Sequence, residues 1–318
     1  MKRRVVLLGG GAVAFAGTGW ALSRSVPEHR SPPPMRPVVI ATGGTKGVYF
    51  KYGQAFRDAT QQRLGPVQVR QTGGSLENIR LLGRGDVTFA FSAADATGEG
   101  RAVPLRAVAR LYDDYIHLVV PRNGPIHSLD DLKGRRVSLG PPGSGTSLIA
   151  GRILRAARTD PARQLVPREL SIDDSVPALQ RGEIDAFFWS GGLPTPGVTG
   201  LAESQSLRLI GVSKQAADSL RKQYGPSYRV GTIPANTYPG VGEPTVTLAV
   251  PNLLLTTTAT DATQVNEVTS ALFDNAAGIA RAGVPEAAQL DLRTAIFTEP
   301  IRLHDGARTY YRSVKSLI

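Results

Sequence analysis

Three short segments carry glycine beside hydroxyl residues in the pattern an anion cradle needs: "TGGTKGVY" (Thr42–Tyr49), "TGGS" (Thr72–Ser75) and "GPPGSGT" (Gly140–Thr146). Glycine lets the backbone approach a ligand closely. A helix opening just after it offers free N–H groups and the positive end of its dipole. Such a cradle suits a carboxylate as well as a phosphate. Extended to Ser147, the third segment is a P-loop with Thr146 where lysine should stand. Without that lysine the β- and γ-phosphates of a nucleotide have no cation to meet, so NTP hydrolysis is not expected.

Other chemistries find little support. No G-x-S-x-G surrounds any serine, and Pro142 spoils the frame at Ser144. His29, His117, His127 and His304 are isolated, and cysteine is absent, so neither metal-ligand spacing nor a disulfide is on offer. His117 sits in an apolar run and reads as a core or hinge residue. Asp113-Asp114 and Asp173-Asp174 read as solvated loop or cap acids. The expectation is a protein that is not an enzyme, with no catalytic residue, cofactor or metal. The net charge of +11 is spread over scattered arginines, with no basic run beyond Lys2-Arg3-Arg4. Nucleic acid is therefore not an expected partner, whereas a small anionic ligand is compatible with that charge.

The elements that must position the loops follow from pattern. Val38–Ala41 is a β-branched run, "TGGTKGVYF" a loop and "KYGQAFRDATQQRL" a helix. "VQVRQT" alternates as a strand. "GGSLENIRLLGRG" reads as a loop and short helix with Ser75 as N-cap and Leu76, Ile79 and Leu82 on one face. The grammar recurs about a hundred residues later. Arg84-Gly85-Asp86 leads to Ser92 as Arg181-Gly182-Glu183 leads to Ser190. "YIHLVVPRNGPI" and "TVTLAVPNLLLTT" then read as two crossings between lobes. In "DATQVNEVTSALFDNAAGIARAG", Asp261 is the expected N-cap and Gly283 the stop. The fold class is therefore α/β in two similar lobes. Lobe I takes residues 37–120 and 248–318 and lobe II residues 121–247, with the ligand in the cleft.

"MKRR" before the apolar run Val5–Leu22 reads as an export signal or a retained membrane anchor over 1–23, with a Pro-rich tether over 24–36. Cleavage and retention are both open. Either places the body on the periplasmic or extracellular side of the cytoplasmic membrane.

The ordered series "ATGGTKGVYF", "TGGSLENIRLLGRGD", "LKGRRVSLGPPGSGT", "GEIDAFFWSGGLPTPGV", "IPANTYPG" and "LHDGARTYYR" resembles the TAXI family, the extracytoplasmic solute-binding receptors of TRAP transporters. The resemblance runs from about residue 38 to 312. It implies a two-lobed, type II periplasmic-binding-protein fold with a hinge. It implies a monomer that captures a small carboxylate, an acidic amino acid such as glutamate or a dicarboxylate, and delivers it to ion-gradient-driven membrane subunits. By motif, the implied ligand-facing residues of lobe I are Thr45, Gly47, Val48, Tyr49, Ser75, Asn78 and Ser92. Those of lobe II are Ser144, Gly145, Thr146, Trp189, Gly191 and Gly192. Lys46 stands where the family has glycine, as an additional candidate, and Phe50 replaces a second tyrosine. Asp305 occupies a usual proline position. A sensory receptor engaging a membrane signalling protein fits the same residues, and a binding-protein-fold enzyme is a third reading.

Overall fold

The computed structural model describes residues 37–100 and 102–315. The expected export segment or anchor and its tether lie outside the described residues. In chain order the first elements are β1 (Val38–Ala41), α1 (Val48–Leu64), β2 (Val67–Arg70), α2 (Ser75–Arg84), β3 (Phe89–Ala93), a 3₁₀ segment (Ala94–Gly100) and β4 (Leu105–Pro121). The middle of the chain supplies β5 (Arg136–Ser138), α3 (Gly145–Ala156), α4 (Pro161–Gln164), β6 (Val166–Arg168) and α5 (Ile172–Gln180). It continues with β7 (Ala186–Gly191), α6 (Pro196–Ser204), β8 (Leu207–Leu209), α7 (Lys214–Tyr224) and β9 (Arg229–Ile233). Last come β10 (Thr245–Thr257), α8 (Ala262–Arg281), a 3₁₀ segment (Pro285–Gln289) and α9 (Asp305–Lys315).

One mixed sheet threads the whole body in the order β2-β1-β3-β10-β4-β7-β5-β6, with β8 on β4 and β9 on β10. The glycine loops follow parallel strands at the two ends of this order, as the pattern of the sequence requires. β4 and β10 are the long members, and each serves both ends. β10 pairs with β9 over Thr245–Ala249 and with β3 over Asn252–Leu255. β4 pairs with β10 up to Tyr115 and with β7 from Tyr115 onward. We place the lobe boundary inside these two strands. There Pro251 cannot donate to a ladder, and the register slips between Asn252 and Leu253.

The inner strands at each end of the sheet are covered on both faces and are largely apolar, while the outermost strands β2 and β6 carry exposed polar residues. Tyr52 and Phe56 of α1 pack with Val265, Val268 and Leu272 of α8 and Tyr310 and Tyr311 of α9. Ile79 and Leu82 of α2 fill the opposite face. In the other lobe Ile149 and Ile153 of α3 meet Leu220 of α7, while Val176 and Leu179 of α5 meet Val198 and Leu201 of α6. The echo between lobes is physical. α2 ends with Gly85 at φ 75° and the bonds Gly85 N–H to Leu82 O and Asp86 N–H to Leu81 O. Gly182, at φ 68°, ends α5 the same way, with bonds to Leu179 O and Ala178 O.

α8 and α9 approach most closely at Gly306, where a Cβ would lie 2.1 Å from Ala262 O. We expect Gly306→Ala to cost about 3 kcal/mol in urea unfolding, because backbone must move to admit the methyl. Gly278→Ala, in open space on α8, should instead stabilise by about 0.5–1 kcal/mol.

Candidate functional site

Four helices begin at one cavity. The N-termini of α1, α2, α3 and α5, with their loops, wall a space of about 420 Å³ together with β4 and β7. α3 and α5 are capped by their own side chains: Ser144 accepts from the N–H of Ser147, and Ser171 from that of Asp174. α1 and α2 begin after Gly47 and Gly74, and neither has a side-chain cap. Both first turns thus lack a side-chain cap at the wall, although in α2 the Glu77 N–H donates to Gly143 O and the Glu77 carboxylate accepts from Gly73 N–H at 2.6 Å. The sequence placed Ser75 as the cap of α2. Instead Gly74, at φ 114°, is the cap and Ser75 the first helical residue, whose Oγ accepts from Ala93 N–H at 3.1 Å.

Of the residues the sequence singled out, Gly47, Val48, Tyr49, Ser75, Ser144, Gly145, Thr146, Trp189 and Gly191 all line this cavity. Trp189 packs across the cleft, its ring edge 3.4 Å from where a Cβ on Gly47 would sit, and its indole N–H donates to Thr195 Oγ1 at 3.1 Å. Tyr49 stacks on Phe91 with centroids 5.2 Å apart, and its hydroxyl donates to Asn252 Oδ1. Thr146 Oγ1 accepts from Ser190 N–H at 3.2 Å, tying α3 to β7.

Five expected residues lie elsewhere. Asn78 is fully buried behind the wall, its amide donating to Thr42 O and Phe91 O and its oxygen accepting from Thr72. It braces the first two glycine loops from behind. Ser92 is buried on β3 and donates to Ala93 O. Gly192 faces Glu286, whose Oε1 stands 2.6 Å from where a Cβ would go. Thr45 and Lys46 form a clasp at the exposed mouth: Thr45 Oγ1 donates to Asp173 Oδ2 at 2.7 Å and the Lys46 N–H to Oδ1 at 3.2 Å. Lys46 Nζ donates to Asp173 O. The polar groups of both residues are thus directed at α5 rather than inward.

The adjacent acids also differ from expectation. Asp113 and Asp114 sit in β4, where alternation sends them to opposite faces. Asp113 binds Arg110 and Arg229 at the surface. Asp114 is 4% exposed and lines the cavity. Its Oδ2 accepts from Ser190 Oγ at 3.2 Å, while its Oδ1 has no hydrogen-bond partner among the described residues. Burial pushes its carboxyl up to about 8; Asn252 and Ser190 oppose that rise, and Glu286 and Asp95 add to it. The signal in the sequence was the mainly apolar run on both sides of the pair, interrupted only by Arg110 and His117 in Ala107–Val120. His117, as expected, is a core residue, its Nε2 2.7 Å from the Tyr238 hydroxyl.

Residues 40–314 match the model of the family described as the NMT1-like family. The chain belongs to the NMT1-like family. This NMT1-like chain is similar in structure to the alkanesulfonate-binding protein SsuA from Xanthomonas axonopodis pv. citri bound to MOPS. The TM-score is 0.50 and the identity 16%, over 90% of this chain and 93% of that one. It is also similar to the P235GK mutant of ArgBP from T. maritima, with a TM-score of 0.51 and 11% identity, over 78% of this chain and 92% of that one. These likenesses are of fold: an α/β body in two lobes, of the periplasmic-binding-protein type.

Proposed function

We propose that the protein is an exported solute-binding receptor that closes its two lobes on one small carboxylate. It hands that ligand to the membrane subunits of a TRAP-type secondary transporter and acts as a monomer, without catalysis. The observation that carries this reading is the convergence of four helix N-termini on one cavity, two of them without a side-chain cap. Dipoles and N–H groups there favour a carboxylate held by the backbone. A similar fold binding a sulfonate buffer in SsuA supports anion capture, and the resemblance to TAXI receptors supports the transporter partner.

The described form is closed. Besides the Asp173 clasp, Glu77 N–H donates to Gly143 O, and Gly145 stands so near Ser75 that a Cβ would lie 2.9 Å from its Oγ. Closure of this kind sequesters a ligand and makes affinity sensitive to any wedge between the lobes.

The test is a thermal-shift screen of amino acids, keto acids and dicarboxylates. A ligand at a hundred times its Kd should stabilise by about 2.7 kcal/mol, and an upward shift with carboxylates is the expected result. A shift with an uncharged solute and none with any carboxylate would overturn the assignment. Gly145→Val should weaken the best ligand at least about tenfold by wedging the lobes apart, an effect of about 1.4 kcal/mol.

A further inference from the structure

We propose that Asp114 recognises a protonated amine, so that the cleft takes a zwitterionic amino-carboxylate rather than a simple carboxylate. The ligand would lie with its carboxylate on the uncapped helix N-termini and its ammonium on Asp114. This rests on the carboxylate reading above and narrows it.

The first support is an orphaned acceptor. Asp114 Oδ1 is buried, faces the cavity wall and has no partner among the described residues. A buried carboxylate oxygen without a donor is costly, and such groups in folded proteins are normally bonded to protein or ligand. Ser190 engages only the other oxygen. Asn252 Nδ2, itself without a hydrogen-bond partner among the described residues, faces the carboxylate from β10 and favours its charged form. Two carboxylate oxygens offer about four acceptor directions, so room is left for an incoming donor.

The second support is charge. Among the described residues that wall the cavity, none is lysine, arginine or histidine, while Asp114 and Asp173 are both acids. Lys46, at the mouth, donates to Asp173 O instead, and the Arg80 guanidinium stands against Gly143 outside the lining. The groups facing Asp114 are Tyr49 of α1, Tyr112 of β4, Ser190 of β7, Asn252 of β10, Glu286 of the 3₁₀ segment Pro285–Gln289 and Asp95 of the segment Ala94–Gly100. None of them is a cation. A ligand carboxylate placed against this end of the cavity would find no cation there, whereas an ammonium would bring Asp114 a counter-ion. The dipolar helix starts and the acid thus make a positive and a negative pole within one enclosed space. That is the complement of a zwitterion.

The experiment is titration calorimetry with pairs of ligands that differ only in the amine: glutamate against glutarate and 2-oxoglutarate, and alanine against propionate. Wild type and Asp114→Asn are each titrated at neutral pH, in two buffers of different ionisation enthalpy. The amino acid that binds best should exceed its deaminated counterpart by at least about tenfold in affinity, and Asp114→Asn should erase that difference. Wild type should also release a proton on binding the amine, since the ammonium holds Asp114 charged, and the variant should not. Equal affinity for both members of a pair in wild type would overturn the proposal while leaving the carboxylate reading intact. Binding of deaminated acids alone would assign Asp114 as a protonated donor and also overturn it. Binding of no carboxylate at all would remove the reading on which it rests. The wild-type comparison stands whether or not the variant folds.

Discussion

Asp114→Asn should melt higher than wild type at neutral and mildly alkaline pH. The carboxyl of Asp114 is pushed up to about 8 by burial, against an ordinary value of 3.8. The folded protein therefore holds a proton that the unfolded chain gives up. Stability from this group is complete below the ordinary value and falls as pH rises toward about 8. Each unit of displacement is worth about 1.4 kcal/mol. With relaxation of the surroundings, a gain on the order of 2–4 kcal/mol is expected for the amide at the alkaline end. Glu286, 2% exposed and pushed up to about 7 by burial, tilts the wild-type profile the same way. His117 tilts it oppositely: burial pushes it down to about 4, so its contribution is lost on acidification below its ordinary 6.5. The window for comparison thus lies above 6.5 and up to about 8, where the influence of His117 fades and Glu286 is common to both proteins, so their difference reports Asp114. Unfolding free energies of the two proteins measured across that window should diverge with rising pH. Parallel curves would show that Asp114 is charged without cost. A variant that gains stability while losing its amine ligand is the signature of a binding group held under electrostatic strain.

The second large effect is expected at Arg152. Its side chain is 7% exposed on α3, where it donates to Tyr228 Oη at 2.5 Å and to Glu99 at 2.8 Å. Its guanidinium lies 3.6 Å from Asp95, whose side chain is 2% exposed, and 4.3 Å from the centroid of the Tyr224 ring. Asp95 and Glu99 follow β3, which β10 and β4 separate from β7, a strand packed against α3. In our placement of the lobes this buried cluster ties one to the other. Arg152→Ala should cost about 3–5 kcal/mol, because Asp95 is left buried without its cation. The pair Arg152→Met with Asp95→Asn should recover more than half of that, since no unpaired charge remains. Urea unfolding checks both, and X-ray scattering should show Arg152→Ala more open than wild type. A single-variant loss under about 1 kcal/mol would mean that the cluster is no better than a surface pair.

Local rules in the sequence already carried much of this. Glycine before an amphipathic run marks where a strand turns into a helix, because it lets the backbone turn tightly and approach a neighbour or ligand closely. That signal located the loops at Gly47, Gly74 and Ser144–Thr146, which the structure brings to one wall. Asp261 accepting from Gln264 N–H at the start of α8 is equally local, as is the paired closure after Gly85 and Gly182. Trp189, expected at the ligand from the family motif, also lines the cavity.

What escaped the sequence are the properties set by distant partners. Asn78 and Thr45 carry the right chemistry for a ligand. Asn78 is instead consumed by Thr42 and Phe91, and Thr45 by Asp173, 128 residues away. Asp114 is the converse, an ordinary-looking acid made special by where β4 and β10 cross. The strand alternation of Leu105–Pro121 permits one of two adjacent aspartates to face inward. Only the pairing with Val250 and the bulge beside Asn252 place that inward face at the cleft, where burial and the nearby Glu286 act on it. Hydrogen-bond periodicity is written within a few residues of chain, so the sequence alone determined the loops, the repeated grammar of the lobes and caps such as Asp261, though not the cap of α2. Burial and charge depend on everything that surrounds a group, so only the tertiary structure decided which acid stands unpaired in the cavity.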